Sequence, residues 1–231
     1  MRKFMTAVVF ASFVALPLTS QAVEKLETFE QKLSYSMGYE VGNYFKTTGE
    51  DIVKDFLLAG IEAAYAEGEP LLTEEEMLAV KKEYAEKMQA KQMAMLEEMK
   101  KKNLAAGQEF LEKNKKVDGV IVTDSGLQYQ VLKEGSGEKA TAEDVVKVEY
   151  VGTFIDGTEF DSTALHGQPA EFPVGQVIPG WKEALTLMNP GSKLRVVIPS
   201  ELAYGEMGAP PRIEPNSVLV FEMELLEIVK K

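Results

Sequence analysis

From Leu71 to Gln168 this chain runs for 98 residues without a proline, and eight of its ten prolines lie beyond residue 117. Proline removes a backbone donor and clashes with the preceding helical turn, so a long stretch free of it is open to continuous helix. Glycine divides the chain in the same way, with 12 of 18 beyond residue 117. The first half is therefore expected to be helical and the second half rich in turns.

The helical half divides further. Thr73-Glu74-Glu75-Glu76 has the pattern of a capping box, with Thr73 as N-cap and acids at the positive end of the helix. Residues 73–116 carry 9 acids and 10 bases and read as one long connecting helix, with Gly107 its weak point. Met77, Val80, Tyr84, Met88, Met95, Met99, Ala106 and Phe110 trace a thin apolar seam along it. Lys91 and Lys102 interrupt that seam, which argues against a continuous coiled coil.

Residues 23–72 read as a small helical unit. Leu26, Phe29, Leu33, Met37, Val41, Tyr44 and Phe45 recur at three- and four-residue steps, and Phe56, Leu57, Ala59, Gly60, Ile61, Ala64 and Tyr65 repeat the pattern. Gly38 and Gly42 lie four apart on one helix, where each costs up to ~1 kcal/mol relative to alanine. Glycines so spaced let another helix approach closely, so a crossing is expected there. A unit this small cannot bury an independent core, and a homodimer through residues 23–72 is the expected remedy. Ahead of it, Arg2 and Lys3 precede the apolar run Phe4–Leu16, and Ser20-Gln21-Ala22 closes the segment. That is the layout of a secretory signal peptide over residues 1–22, cleaved after Ala22. Export is the expectation, into the periplasm, with the outer membrane or cell surface as the alternative.

Composition removes several function classes. A net charge of −12 opposes nucleic-acid binding, which needs a basic face. Zero cysteines exclude disulfides, thiol nucleophiles and zinc–thiolate sites, and a single histidine, His166, counts against a histidine-based triad or a multi-histidine metal site. The same absence of thiols suits an oxidising compartment. In its polar loop, His166 reads as a surface residue.

From Gly126 onward the pattern is that of strands: 127–132, 145–151, a hairpin around Asp156-Gly157, 193–198 and 218–228. One short helix is expected at 181–186, making an α+β arrangement, an antiparallel sheet wrapped on a short helix. Gly135-Ser136-Gly137-Glu138-Lys139-Ala140 matches a dinucleotide fingerprint formally. A strand rather than a helix follows it, so it reads as a turn.

The string from Tyr150 through Phe160-Asp161-Ser162, then Val177-Ile178-Pro179-Gly180-Trp181, Ala203-Tyr204-Gly205 and Val218-Leu219-Val220-Phe221 resembles the FKBP-type peptidyl-prolyl cis-trans isomerases over residues 117–231. Lys32-Leu33-Ser34-Tyr35-Ser36-Met37-Gly38 resembles their Mip/FkpA-like branch, whose members are exported, V-shaped dimers with an N-terminal helical dimerisation domain. The resemblance implies Trp181 as the floor of a cavity walled by Tyr150, Phe160, Val177, Ile178 and Phe221. It implies that the Ile178 N–H and the Tyr204 hydroxyl hold substrate carbonyls, that Asp161 is a polar contact, and that Ile213 is a wall retained in the flap. Ala170, His166, Ala209 and Arg212 depart from the family pattern, in that order at an aromatic position, beside the aspartate and twice in the flap. The implied partners are unfolded or proline-containing exported polypeptides, with macrolides as inhibitors. The implied reaction needs no cofactor or metal. Two other readings are a non-catalytic chaperone, suggested by the altered flap and the methionine seam, and a surface adhesin.

Overall fold

The computed structural model describes residues 25–66 and 70–229. The expected signal peptide therefore lies outside the described residues. The chain falls into two units divided between Met77 and Leu78.

The first unit contains α1 (Phe29–Thr48) and α2 (Lys54–Tyr65). A capping box that the sequence reading passed over starts α1: the Gln31 N–H donates to Thr28 Oγ1 and the Thr28 N–H to Gln31 Oε1. Gly49 ends the helix in the left-handed conformation, φ 68°. Neither helix contains a buried residue, and Phe29, Met37, Tyr44, Phe56 and Ile61 are exposed. A Cβ built on Gly38 or Gly42 meets nothing within 4 Å. The crossing expected at these glycines is thus not made by the described residues of this chain.

The long helix α3 runs Glu74–Asn114, with Thr73 and Glu76 forming the capping box that its sequence announces. It passes through Gly107 unbroken. That residue is buried, and a Cβ there would stand 2.7 Å from Val218 Cγ2, so the glycine serves close packing and is not a weak point. The C-terminal end of α3 is fastened to the sheet by a buried polar group. Asn114 Nδ2 donates to Gln128 Oε1 at 2.8 Å, Gln128 Nε2 donates to the Leu111 carbonyl, and Arg195 Nη1 donates to Asn114 Oδ1. Phe110 and Leu111 pack on Val197, Val218 and Val220 beside it.

The sheet has seven antiparallel strands: β1 (Val120–Val122), β2 (Gln128–Lys133), β3 (Val145–Phe154), β4 (Glu159–Ser162), β5 (Ala170–Pro173), β6 (Lys193–Ile198) and β7 (Leu219–Val229). Their order is β1-β2-β6-β7-β3-β4, with β5 also on β3. Two of these, β1 and β5, have no counterpart in the sequence reading. β1 has only three residues, and β5 follows Pro169 and ends in Pro173, a proline tolerable at a sheet edge. In β3, alternation buries Val146, Val148 and Tyr150 on one face. Against that face lies α5 (Pro179–Leu187), with Pro179 in its first turn and Trp181, Ala184 and Leu185 buried. A second short helix, α4 (Thr163–His166), follows β4. The Asp156-Gly157 turn forms as its sequence predicts, with Gly157 at φ 88° and the Thr158 N–H donating to Asp156 Oδ1. No helix follows Gly135-Ser136-Gly137, which packs instead against the Asn189–Ser192 turn.

Candidate active site

Helix α5 carries Trp181 under the sheet, where three aromatic rings meet its indole edge-on. Tyr150 from β3 lies 5.0 Å away between centroids, Phe221 from β7 5.2 Å and Phe172 from β5 5.4 Å, all within 8° of perpendicular. Phe160 from β4 extends the group, standing at 89° to Phe221 and 5.6 Å from it. Such edge-to-face pairs bring positive ring edges to negative faces, each worth about 0.5–1.5 kcal/mol beyond area burial. The arrangement depends on Gly152 in β3. A Cβ there would stand 2.7 Å from Phe221 and 2.8 Å from Phe160, so both rings occupy space that any other residue would take.

Around these rings lies a cavity of about 410 Å³ lined by Tyr150, Phe160, Asp161, Phe172, Gln176, Val177, Ile178, Trp181, Tyr204 and Phe221. Trp181 is only 5% exposed, yet it still forms part of the lining. Eight of the nine residues singled out from the sequence meet here. The ninth, Ile213, does not: it is 7% exposed, packs in the main core, and exchanges backbone hydrogen bonds with Ala209. Two lining residues escaped the sequence reading. Phe172 lies two residues beyond Ala170 on β5 and so faces the same side, bringing the aromatic ring that position 170 lacks. Gln176 lies in a 3₁₀ turn, Val174–Gln176, whose sequence has no periodicity to mark it.

The only carboxylate in the lining is Asp161. Its Oδ2 accepts the Tyr150 hydroxyl at 2.7 Å, and its Oδ1 lies 2.9 Å from His166 Nε2. Helix α4 makes the second contact, curling the chain back from Ser162, whose hydroxyl caps it by accepting from the Leu165 N–H. His166 is exposed, as expected, but it also orients the cavity carboxylate. Burial pushes the Asp161 carboxyl up, but the hydrogen bonds from Tyr150 and His166 outweigh it and hold the group below its ordinary 3.8. For Tyr150 burial and the Asp161 bond act together, raising the phenol far above its usual range, so it remains a donor.

The sign of the linkage follows. A depressed carboxyl stabilises the fold at pH values above 3.8, and that contribution fades as pH falls through its lower folded value. In a carbon-13 titration the Asp161 carboxyl should therefore reach its midpoint below pH 3.8. Tyr150→Phe, which removes a donor, should move that midpoint upward, and an unmoved midpoint would contradict the hydrogen-bond assignment.

Residues 136–226 match the family model described as FKBP-type peptidyl-prolyl cis-trans isomerase, and residues 30–131 match the domain amino-terminal to it. The outer membrane protein MIP of Legionella longbeachae is 40% identical over 228 residues, covering 99% of this chain and 98% of that protein. The FKBP-type 22 kDa peptidyl-prolyl cis-trans isomerase of Escherichia coli is 44% identical, covering 88% and 97%. The crystal structure of FkpA from Escherichia coli superposes with a TM-score of 0.75 at 37% identity, over 88% of this chain and 98% of that one.

Proposed function

Since this chain belongs to the FKBP-type peptidyl-prolyl cis-trans isomerases of the Mip/FkpA type, we propose that its aromatic cavity is where X-Pro bonds are turned. It works after export, on folding periplasmic and outer-membrane polypeptides, as a homodimer that also holds unfolded chains. The observation that carries this reading is the cavity itself, with the Trp181 indole ringed edge-on by Tyr150, Phe172 and Phe221 and set beside the Phe160 wall.

The chemistry asks for little beyond such a hollow. Partial double-bond character gives the imide a rotation barrier of roughly 18–20 kcal/mol, and uncatalysed exchange takes tens to hundreds of seconds. Reaching milliseconds needs about 5–6 kcal/mol off that barrier. The twisted imide has lost its resonance and carries less charge separation than the planar one. An apolar lining therefore favours it over the ground state. The proline ring sits on Trp181 between Tyr150, Phe160 and Phe221, with Val177 and Phe172 completing the walls. Ile178 is the N-cap of α5, so its N–H lies outside that helix's own hydrogen-bond ladder and is directed to a substrate carbonyl. Tyr204, 41% exposed, offers its hydroxyl to a second carbonyl. Asp161 stays ionised and holds the Tyr150 ring in place. No proton is transferred.

The proposed division of labour is a signal peptide at 1–22, a dimerisation unit at 23–72, a connecting helix at 73–116 and the isomerase domain at 117–231. The exposed apolar faces of α1 and α2 support the dimerisation unit. The contacts of Asn114 and Leu111 with β2 and β6 add the end of α3 to the working isomerase.

The test pairs two assays on the mature protein. In a protease-coupled assay, X-Pro tetrapeptides should isomerise faster, and refolding of a substrate limited by proline isomerisation should accelerate further. Aggregation suppression is measured on a proline-free substrate. Suppression without any peptide turnover would favour the chaperone alone and overturn the catalytic reading.

A further inference from the structure

We propose that Asn216 and Asn103 are positioning residues for the isomerase site, fixing the loop that carries Tyr204 to helix α3. The inference rests on the reading above that Tyr204 contacts substrate.

Asn216 lies just before β7, is 8% exposed, and is the only non-glycine residue at positive φ, 57°, among the described residues. Asparagine tolerates that left-handed conformation better than most side chains. Its two polar ends face different partners. The backbone N–H donates to the Gly205 carbonyl at 2.9 Å, next in sequence to Tyr204, while the side-chain Nδ2 donates to the Lys100 carbonyl of α3 at 3.2 Å. The Tyr204 carbonyl in turn accepts from the Gly208 N–H, so this residue sits inside a short hydrogen-bonded turn that Asn216 anchors from outside.

The second residue acts one turn along the helix. Asn103 Nδ2 donates to Glu214 Oε2 and to the Pro215 carbonyl, both at 3.0 Å. A further turn on, Gly107 admits Val218. Lys100, Asn103 and Gly107 thus form one face of α3, spaced three and four residues apart, and they hold four of the five residues from Glu214 to Val218. That segment follows directly on the flap ending at Ile213. The cavity wall at Tyr204 is therefore located by a helix whose residues form no part of the cavity lining.

The experiment is a double-mutant cycle on the full mature chain. Asn216→Gly keeps the left-handed backbone accessible and removes only the side-chain donor. With X-Pro tetrapeptides it should raise KM about three- to tenfold and leave kcat within about twofold, the pattern of lost substrate binding. Tyr204→Ala should raise KM as well. If Asn216 acts through Tyr204, the double variant will lose little more than Tyr204→Ala alone. Additive losses, or an unchanged KM in Asn216→Gly beside an impaired Tyr204→Ala, would overturn the positioning role and leave the substrate contact standing. A Tyr204→Ala variant with wild-type KM would remove that contact and this proposal together. Should Asn216→Gly fail to fold, Asn103→Ala decides the matter by the same KM comparison, a rise supporting the role and no change refuting it.

Discussion

Trp181→Ala should be the most damaging single substitution in the isomerase domain, costing about 3–5 kcal/mol of stability and most of the activity. The indole is almost wholly buried and makes edge contacts with three rings from three different strands. Its removal leaves a void that β3, β5 and β7 cannot close without moving, because each is pinned in register by its neighbours. Stability and catalysis are separated by Trp181→Leu, which keeps an apolar side chain beneath the cavity but loses the flat floor. That variant should unfold only a few degrees below the wild type and still lose activity at least about tenfold, equivalent to ~1.4 kcal/mol of transition-state stabilisation. Thermal melts and protease-coupled kinetics on the same samples check both numbers. Full activity in Trp181→Leu would mean that the proline ring does not rest on residue 181.

What the sequence made legible and what it hid have physical causes. Trp181, Tyr150, Phe160 and Phe221 were marked by the family resemblance, since each aromatic taken alone reads as ordinary core packing and Phe160 stands on a separate strand, β4. The fold brings them together from β3, β4, α5 and β7. Phe172, the one ring of β5, carries no mark of its own in the sequence, although the alternation Ala170-Glu171-Phe172 sets both outer residues on one face. His166 illustrates a different limit. Its link to Asp161 depends on a four-residue helix too short to leave a periodic signal. Ile213 does not line the cavity, and the loop bridge that pairs it with Ala209 leaves no periodic signal in the sequence. Gly107 looked like a helix breaker when considered alone. Its meaning came from Val218, 111 positions away in sequence yet packed against it. Local pattern thus gave the elements, and long-range packing gave the roles of residues that lie between or across them.

If the proposed dimer forms through α1, converting that helix to a charged face should leave a monomer while sparing turnover of short peptides. Leu33 and Val41 lie eight residues apart on α1, flank Met37 on the same stripe, and are all exposed in the single chain. Apolar side chains in such a row have no place in a soluble unit unless a partner covers them. The bare glycines Gly38 and Gly42 offer a second helix a close approach on the same element. A second copy of the chain meets the demand twice over, since a two-fold interface buries each residue in both protomers. Burying a side chain of this size is worth about 1.5–3 kcal/mol. Leu33→Glu with Val41→Glu therefore removes about 6–12 kcal/mol from a dimer, at least about four decades in Kd. Light scattering at micromolar concentration should then report 1 chain in place of two, and circular dichroism should show lost helix, because α1 and α2 bury nothing by themselves. Tetrapeptide turnover should persist, since no residue of α1 or α2 lines the cavity. Refolding of a long client with several prolines should slow, because two linked sites raise the local concentration of the second once the first is engaged. A variant that stays dimeric would place the interface elsewhere, and one that loses tetrapeptide turnover would make the N-terminal helices part of the catalytic machinery.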